Sequence, residues 1–176
     1  MSNKYEEVIL IPIDFSPISE EAVIYASRLS LCMKIPLRLL HVVHDPSDSP
    51  SYYHPKEDRE MLNNINEVAS EMMSDFIAQL NESCDDFKRA KKLSPLVIDG
   101  VPVSKILEVI ENTRPTMVVM NSHGRTNLAH VILGSKTEQI MRLSPVPVTI
   151  VKSKERQHSL YKTLMKMIEA YSEAEL

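Results

Sequence analysis

Five short apolar runs, separated by helical patterns, constrain the fold of this chain more than any other feature. The first run, VILIPI, is almost wholly apolar and rich in β-branched residues, as expected of a strand buried on both faces of a sheet. The five runs lie at 8–13, 36–43, 93–98, 117–120 and 146–151. The resulting β-α-β-α-β-α-β-α-β order, with right-handed crossovers, predicts an α/β fold with a doubly wound, five-stranded parallel sheet.

Length and pattern divide the chain into two unequal parts. Its 176 residues suffice for one domain with a substantial core. We expect residues 1–152 to form that domain, and residues 153–176 to form a linker and a C-terminal helix. The helix is predicted from apolar residues at helical spacing, which are Leu160, Leu164, Met167, Ile168 and Tyr171.

Charge and composition narrow the range of partners. The net charge of −4 argues against a general nucleic-acid surface, which needs clustered Lys and Arg. No segment reaches the roughly 18 continuous apolar residues of a membrane span, and the N-terminus lacks a signal-peptide core. Cys32 and Cys84 lie far apart, so we expect neither a disulfide framework nor a zinc site. We therefore expect a cytoplasmic protein without membrane contact.

The stretch 117–136 has the pattern of an anion site. An apolar strand passes into polar sequence that contains Gly124 and Gly134, two of only three glycines in the chain, and then into a helix. We expect these glycines where the backbone approaches a ligand closely or has a positive φ. Ser135 is predicted at the N-cap of the helix, where backbone amides attract phosphate. Arg125 and Lys136 would supply positive charge.

A second candidate lies after the first strand. Asp14 follows that strand and precedes Ser16 and Pro17, which are predicted as the N-cap and first residue of a helix. The carboxyl ends of strands are where open α/β sheets place ligand groups. Two readings of Asp14 remain, a ligand contact and a role confined to the turn.

The segment after the second strand is long and polar. Residues 44–57 are predicted to be either a lid over a ligand or a disordered connection, and an amphipathic helix follows over 58–83. His41, His44 and Asp45 do not share a face in an orderly way, so we do not expect a metal site there.

These features resemble the universal stress protein family. Its nucleotide-binding branch follows the fourth strand with a glycine, two residues, a glycine, nine residues, and then a glycine with serine or threonine. This chain has Asn121, Gly124, Gly134 and Ser135 at those positions, so only the first glycine differs. The resemblance covers about residues 5–152 and includes the stretch DFSPISEEA.

The resemblance implies the strand order 3-2-1-4-5 and a cleft for ATP, with Mg2+ possible and with ADP or AMP as alternatives. Asp14 would face the ribose or a metal-bound phosphate, and Val42 would contact adenine through its backbone. The cofactor-binding residues it implies are Pro12, Asp14, Val42, Asn121, Gly124, Arg125, Gly134, Ser135 and Lys136.

Three functions remain open at this point. The first is a nucleotide-binding, regulatory stress-response module with at most slow ATP hydrolysis, since no Walker lysine is present and His123 is more simply a partner of the loop backbone. The second is a dimeric interaction protein of the same fold that binds no nucleotide. The third is a nucleotide-activating enzyme. The resemblance also implies a homodimer through the last strand, and we expect the C-terminal helix to pack on that dimer or on another protein.

Overall fold

The computed structural model describes residues 5–44, 65–122 and 133–152 of the chain. Strands and helices alternate along these residues, except that one short helix directly follows another. The strands are β1 (Ile9–Pro12), β2 (Leu37–Val43), β3 (Leu96–Asp99), β4 (Met117–Asn121) and β5 (Val148–Val151). The helices are α1 (Pro17–Met33), α2 (Ile65–Ser83), α3 (Asp85–Arg89), α4 (Pro102–Thr113) and α5 (Ser135–Leu143).

The five strands form one parallel sheet in the order β3-β2-β1-β4-β5. Alternate residues of β1 are buried in two separate clusters: Ile9 and Ile11 pack with residues of α1, α2 and α3, whereas Leu10 packs with residues of α4 and α5. Helices therefore cover both faces of the sheet. The predicted doubly wound fold and its strand order are confirmed.

The sheet splits between β1 and β4 at Pro12. The N–H groups of Ile9 and Ile13 donate to the carbonyls of Pro36, just before β2, and Leu40, within it, at 2.9 and 2.8 Å. Because neighbouring residues of a strand direct their backbone groups to opposite sides, Pro12 faces β4. Proline has no N–H to donate there, and the pairing of β1 with β4 ends two residues earlier, at Leu10 and Val118. Beyond this point, towards their carboxyl ends, β1 and β4 are no longer paired.

Two elements differ from the sequence prediction. The third strand begins at Leu96, not at residue 93, because Pro95 interrupts the ladder after an isolated bridge between Lys92 and Leu37. A separate short helix, α3, follows α2 and buries Phe87 completely in the core. The basic segment 88–92 begins in its last turn, where Lys88 and Arg89 are exposed.

Helix α1 packs through small side chains. Its buried residues are Ser19, Ala22, Val23, Ala26, Ser27 and Ser30. Tyr25 of the same helix, an apolar residue by its ring, is 42% exposed. Small residues allow the helix to lie close to the sheet, which leaves no room there for an aromatic ring. The hydroxyls of Ser27 and Ser30 are satisfied by the carbonyls of Val23 and Ile35, at 2.7 and 2.6 Å.

Several expectations fall on residues outside the described ranges. These are the start of the long helix at residues 58–64, the segment 45–57 after the second strand, and the C-terminal residues 153–176. Among the helices of the described ranges, none combines the length and apolar content that a membrane crossing requires.

Candidate functional site

A closed hydrogen-bond network fixes Asp14 where β1 leads into α1. Asp14 Oδ1 accepts bonds from Ser16 Oγ at 2.5 Å, from Ser19 Oγ at 2.6 Å and from the Ser16 amide at 3.2 Å. The Asp14 amide in turn donates to Ser19 Oγ at 3.1 Å. A carboxylate beside the first turn of a helix is also stabilised by the helix dipole. The network fixes the carboxylate just past the carboxyl end of β1.

The same network caps α1. Ser16 is the N-cap, as predicted, and its Oγ accepts a bond from the Ser19 amide at 3.2 Å. Asp14 therefore has the turn role that was one of its two readings, since it accepts from both serines. A ligand role for Asp14, the other reading, remains a prediction beside this turn role.

The end of β4 and the start of α5 are joined at two points. The Gly134 amide donates to the Ser122 carbonyl at 2.8 Å, and Thr137 Oγ1 donates to the Asn121 carbonyl at 3.1 Å. Thr137, Asn121 and Ser122 are all buried. Because β4 lies beside β1, the chain that leaves β4 and the chain that returns to α5 meet at the same sheet edge as Asp14.

The first turn of α5 differs in one detail from the prediction. Ser135 was expected at the N-cap, but Gly134 occupies that position and Ser135 is the first helical residue. The Gly134 carbonyl accepts the first helix bond from the Glu138 amide at 2.9 Å. The amides of residues 135–137 therefore precede the first intrahelical bond and point out of the helix end, which favours an anion.

Gly134 does not have the positive φ that was one reason to expect glycine there. Its φ of −68° and ψ of 145° are accessible to any residue. The other reason, close approach of a ligand, remains a prediction. Ser135 and Lys136 are both exposed beside it.

Asn121 belongs to the strand and not to the loop. It is the last residue of β4, pairs with Val151 of β5, and is 7% exposed. An extended backbone at this position does not require glycine. The departure from the family pattern therefore has no conformational cost, and its effect is limited to the space that the side chain fills.

The last pair of residues in the ladder between β1 and β2 is Pro12 and Leu40, and Val42 lies two residues beyond it. Because the Leu40 carbonyl accepts a bond from β1, the backbone groups of Val42 also face the β1 side, just past the end of that strand. The Val42 side chain is buried in the core. Any ligand contact of Val42 would therefore be made by its backbone.

The described residues include seven of the nine predicted site residues. Gly124 and Arg125 lie outside the described ranges, as do His123 and Asp45. His41, weighed above as a metal ligand, is buried and its Nδ1 lies 2.9 Å from the Ile13 carbonyl. Two supporting residues were missed, Ser19 and Thr137. The sequence feature that could have identified them is a hydroxyl side chain three residues after each helix N-cap.

The fold and the end of pairing between β1 and β4 define the class of this protein as a doubly wound α/β domain whose strand order reverses at these two strands, where such folds bind ligands. A family model described as the universal stress protein family matches residues 7–152. The chain belongs to the universal stress protein family.

One relative, an archaeal protein, matches this chain along nearly the whole length of the relative. Universal stress protein MJ0577 of Methanocaldococcus jannaschii is 26% identical over 167 residues, which cover 88% of this chain and 99% of the relative. Its solved structure superposes with a TM-score of 0.65 at 28% identity, covering 84% of this chain and 96% of that one.

Two other solved structures are described as complexes with a nucleotide. A universal stress protein in complex with cAMP has a TM-score of 0.59 at 18% identity, covering 82% of this chain and 96% of that one. The universal stress protein from Archaeoglobus fulgidus in complex with dAMP has a TM-score of 0.55 at 15% identity, covering 84% and 98%. At these identities the likeness shows the fold alone, so nucleotide binding is a property of those two proteins.

Proposed function

We propose that this protein binds an adenine nucleotide, ATP with Mg2+ in the first instance, in the cleft between the carboxyl ends of β1 and β4. The proposal rests on one observation: hydrogen bonds join the end of β4 to the start of α5. These two hydrogen bonds hold the open N-terminus of α5 at the sheet edge where Asp14 also lies. Binding of this kind suits a regulatory module in a stress response.

The charges of the described residues suit the two ends of such a ligand. The amides of residues 135–137, the Ser135 hydroxyl and the Lys136 ammonium would receive the phosphates. Asp14 would face the ribose or the metal ion, because a carboxylate repels phosphate but accepts bonds from hydroxyl groups. The Val42 backbone, past the end of β1, would meet the base. Gly124 and Arg125 would complete the phosphate side.

Asn121 is the residue on which this proposal depends most. Its backbone tolerates any residue, so the family's glycine would serve only to leave space. If the buried Asn121 side chain reaches into the volume of the ligand, the protein becomes a dimeric module that binds no nucleotide, which is the second candidate function. Asn121→Gly should then tighten nucleotide binding without changing the fold.

Calorimetry with ATP, ADP, AMP and adenosine tests the proposal. We expect wild type to bind ATP in the presence of Mg2+, and Gly134→Val to weaken that binding strongly, since its backbone angles permit valine but the added side chain occupies the space of the phosphates. If wild type shows no heat with ATP, ADP or AMP at millimolar concentration, the proposed function is wrong.

A pair of lysine variants separates a local phosphate contact from the general charge of the surface. Lys136→Met should weaken ATP binding and leave adenosine binding unchanged. Lys105→Met, in the first turn of α4 and also one charge lower, serves as the control and should change neither. Equal effects of the two variants would contradict a phosphate site at α5.

A further inference from the structure

The backbone immediately after Asp14 is held in a conformation that few residues adopt. Phe15 has a φ of 56°, in the left-handed region, where a bulky side chain is an outlier. Such a residue costs of the order of 1–3 kcal/mol and persists only when its surroundings hold it there. The loop that carries the Asp14 carboxylate therefore depends on contacts outside itself.

His41 makes contacts on both sides of Asp14. Its Nδ1 lies 2.9 Å from the carbonyl of Ile13, the residue before Asp14. Its ring lies against the ring of Phe15, the residue after Asp14, with centroids 4.3 Å apart and planes inclined by 35°. His41 is 2% exposed and belongs to β2, so it is fixed by the sheet and not by the loop.

A second aromatic ring closes the arrangement from the helical layer. Phe76 of α2 meets the edge of Phe15, with centroids 5.8 Å apart and planes inclined by 67°. The partly buried ring of Phe15 is thus in contact with a strand and a helix that both lie outside its own loop.

We propose that His41 is a positioning residue for the nucleotide site: it holds Ile13 and Phe15, and through them sets the direction in which Asp14 faces the cleft. This inference rests on the proposed function, which it deepens by adding a buried residue that touches no ligand. His41 acts on Asp14 from the side of β2, whereas Ser16 and Ser19 hold the carboxylate from the side of α1.

The hydrogen bond determines the protonation required of the ring. A backbone carbonyl only accepts, so Nδ1 of His41 must carry a proton and donate it to the Ile13 carbonyl. An asparagine at this position can place its amide nitrogen near the site of Nδ1 and keep that donor. A leucine of similar size keeps the packing volume but loses the donor.

The test compares His41→Leu with His41→Asn in the full chain, and uses Ile9→Val as a control. Ile9 is fully buried on the same face of the sheet, at the opposite end of β1, so Ile9→Val lowers stability without touching the loop. We expect His41→Leu to weaken adenosine and ATP binding by the same factor, about tenfold if the loss lies in the lower part of the range for a strained residue. His41→Asn should recover most of this loss, and Ile9→Val should bind as wild type does.

A spectroscopic measurement on the ligand-free protein tests the positioning directly. In an NMR spectrum, the nuclear Overhauser cross-peak between the amide and α protons of Phe15 is strong at positive φ, because the two protons then lie close together. We expect it to be strong in wild type, in His41→Asn and in Ile9→Val, and weak in His41→Leu.

The inference is overturned if His41→Leu keeps the strong Phe15 cross-peak, if His41→Asn and His41→Leu lose it equally, or if His41→Leu weakens ATP but not adenosine. Failure of the proposed function looks different. In that case no nucleotide binds to wild type, while the cross-peaks still decide whether His41 positions the loop.

Discussion

At the scale of single residues, Thr137 shows how one hydroxyl joins two elements. It lies in the first turn of α5, is 4% exposed, and donates to the last carbonyl of β4. Helix interiors do not favour threonine, because its branched side chain restricts rotation and its hydroxyl competes for backbone bonds. At this position the hydroxyl is used for a contact that a better helix former, such as alanine, could not make.

Thr137→Val should therefore lower the free energy of unfolding by about 1 kcal/mol, since it removes a buried hydrogen bond while keeping the shape of the side chain. Urea denaturation measures the change. Thr113→Val is the matched control, because the Thr113 hydroxyl bonds only the Val109 carbonyl within its own helix, and it should change stability less. Equal losses in the two variants would show that the Asn121 bond adds nothing.

The residue types of the site were predictable, but their partners were not. Asp14, Ser16 and Gly134 stand out in the sequence because each lies at the junction of a strand pattern and a helix pattern. The pairing of Asn121 with Val151, which places Asn121 in the strand, depends on the register of β4 and β5. That register joins residues 30 positions apart, and no local pattern specifies it.

At the scale of elements, α3 is the helix that the sequence prediction missed. It has only five residues, too few for a helical period to be recognised. Its ends are held by side chains: Cys84 Sγ accepts from the Phe87 amide at 3.5 Å, and Lys92 Nζ donates to the carbonyls of Phe87 and Ala90 at 2.6 and 3.2 Å. The Lys92 ammonium also lies 4.5 Å from the centre of the Phe87 ring.

Lys92→Met should destabilise the protein by roughly 1 kcal/mol, because it removes hydrogen bonds from Nζ to carbonyls that the helix leaves open. Thermal or urea unfolding at neutral pH gives the value. Lys91→Met, at the exposed neighbouring position, serves as the control and should be near neutral. If Lys92→Met leaves the free energy of unfolding unchanged, water replaces the ammonium at no cost in stability.

The same lysine predicts a dependence on pH. Desolvation by burial lowers the pKa of Lys92 below its ordinary value of 10.5, so the folded protein releases this proton at lower pH than the unfolded chain. Between the two pKa values the unfolded chain binds more protons, and stability rises with pH. The free energy of unfolding of wild type, relative to Lys92→Met, should therefore increase as the pH rises towards 10.5. A difference that falls with pH would contradict this assignment.

Strands were easier to predict than their ends. The apolar runs located all five, since burial on both faces leaves a continuous signal. The predicted third strand began three residues early, because Leu93 does bond the sheet: its amide donates to the Leu37 carbonyl at 2.8 Å. Pro95 then delays the regular ladder until Leu96.

At the scale of the whole molecule, β5 is the edge strand through which we expect a homodimer to form. The carbonyls of Pro147 and Val151 accept bonds from β4, so odd-numbered residues face inward and Val148 directs its N–H to the open edge. An edge with free backbone groups invites pairing with another strand.

Val148→Pro should therefore weaken self-association and leave the monomer folded, because proline is tolerated where the lost N–H faces solvent. Sedimentation gives the dissociation constant, and circular dichroism checks the fold. Thr149→Pro is the control, since its N–H faces β4 and its loss should unfold the edge of the sheet. A dimer of unchanged strength in Val148→Pro would place the interface elsewhere.

The C-terminal segment supplies a second prediction about assembly. Deleting residues 156–176 should weaken self-association and leave the nucleotide affinity unchanged, because the predicted apolar stripe of this segment is expected to pack on the dimer partner. A helix of about this length is marginal in water without such burial. Sedimentation of the shortened chain decides, and if it self-associates as tightly as the full chain, the segment packs on its own domain or on a foreign protein.

The sequence by itself determined the class of fold, the order of its elements and the family, because strand runs, helical periods and glycine spacing are all patterns of neighbouring residues. Only the tertiary structure decided how the site is supported. The bond between His41 and the Ile13 carbonyl joins residues 28 positions apart, and that between Thr137 and the Asn121 carbonyl joins residues 16 apart. Such contacts depend on strand order and register, which arise when the whole sheet assembles and which no short stretch of sequence encodes.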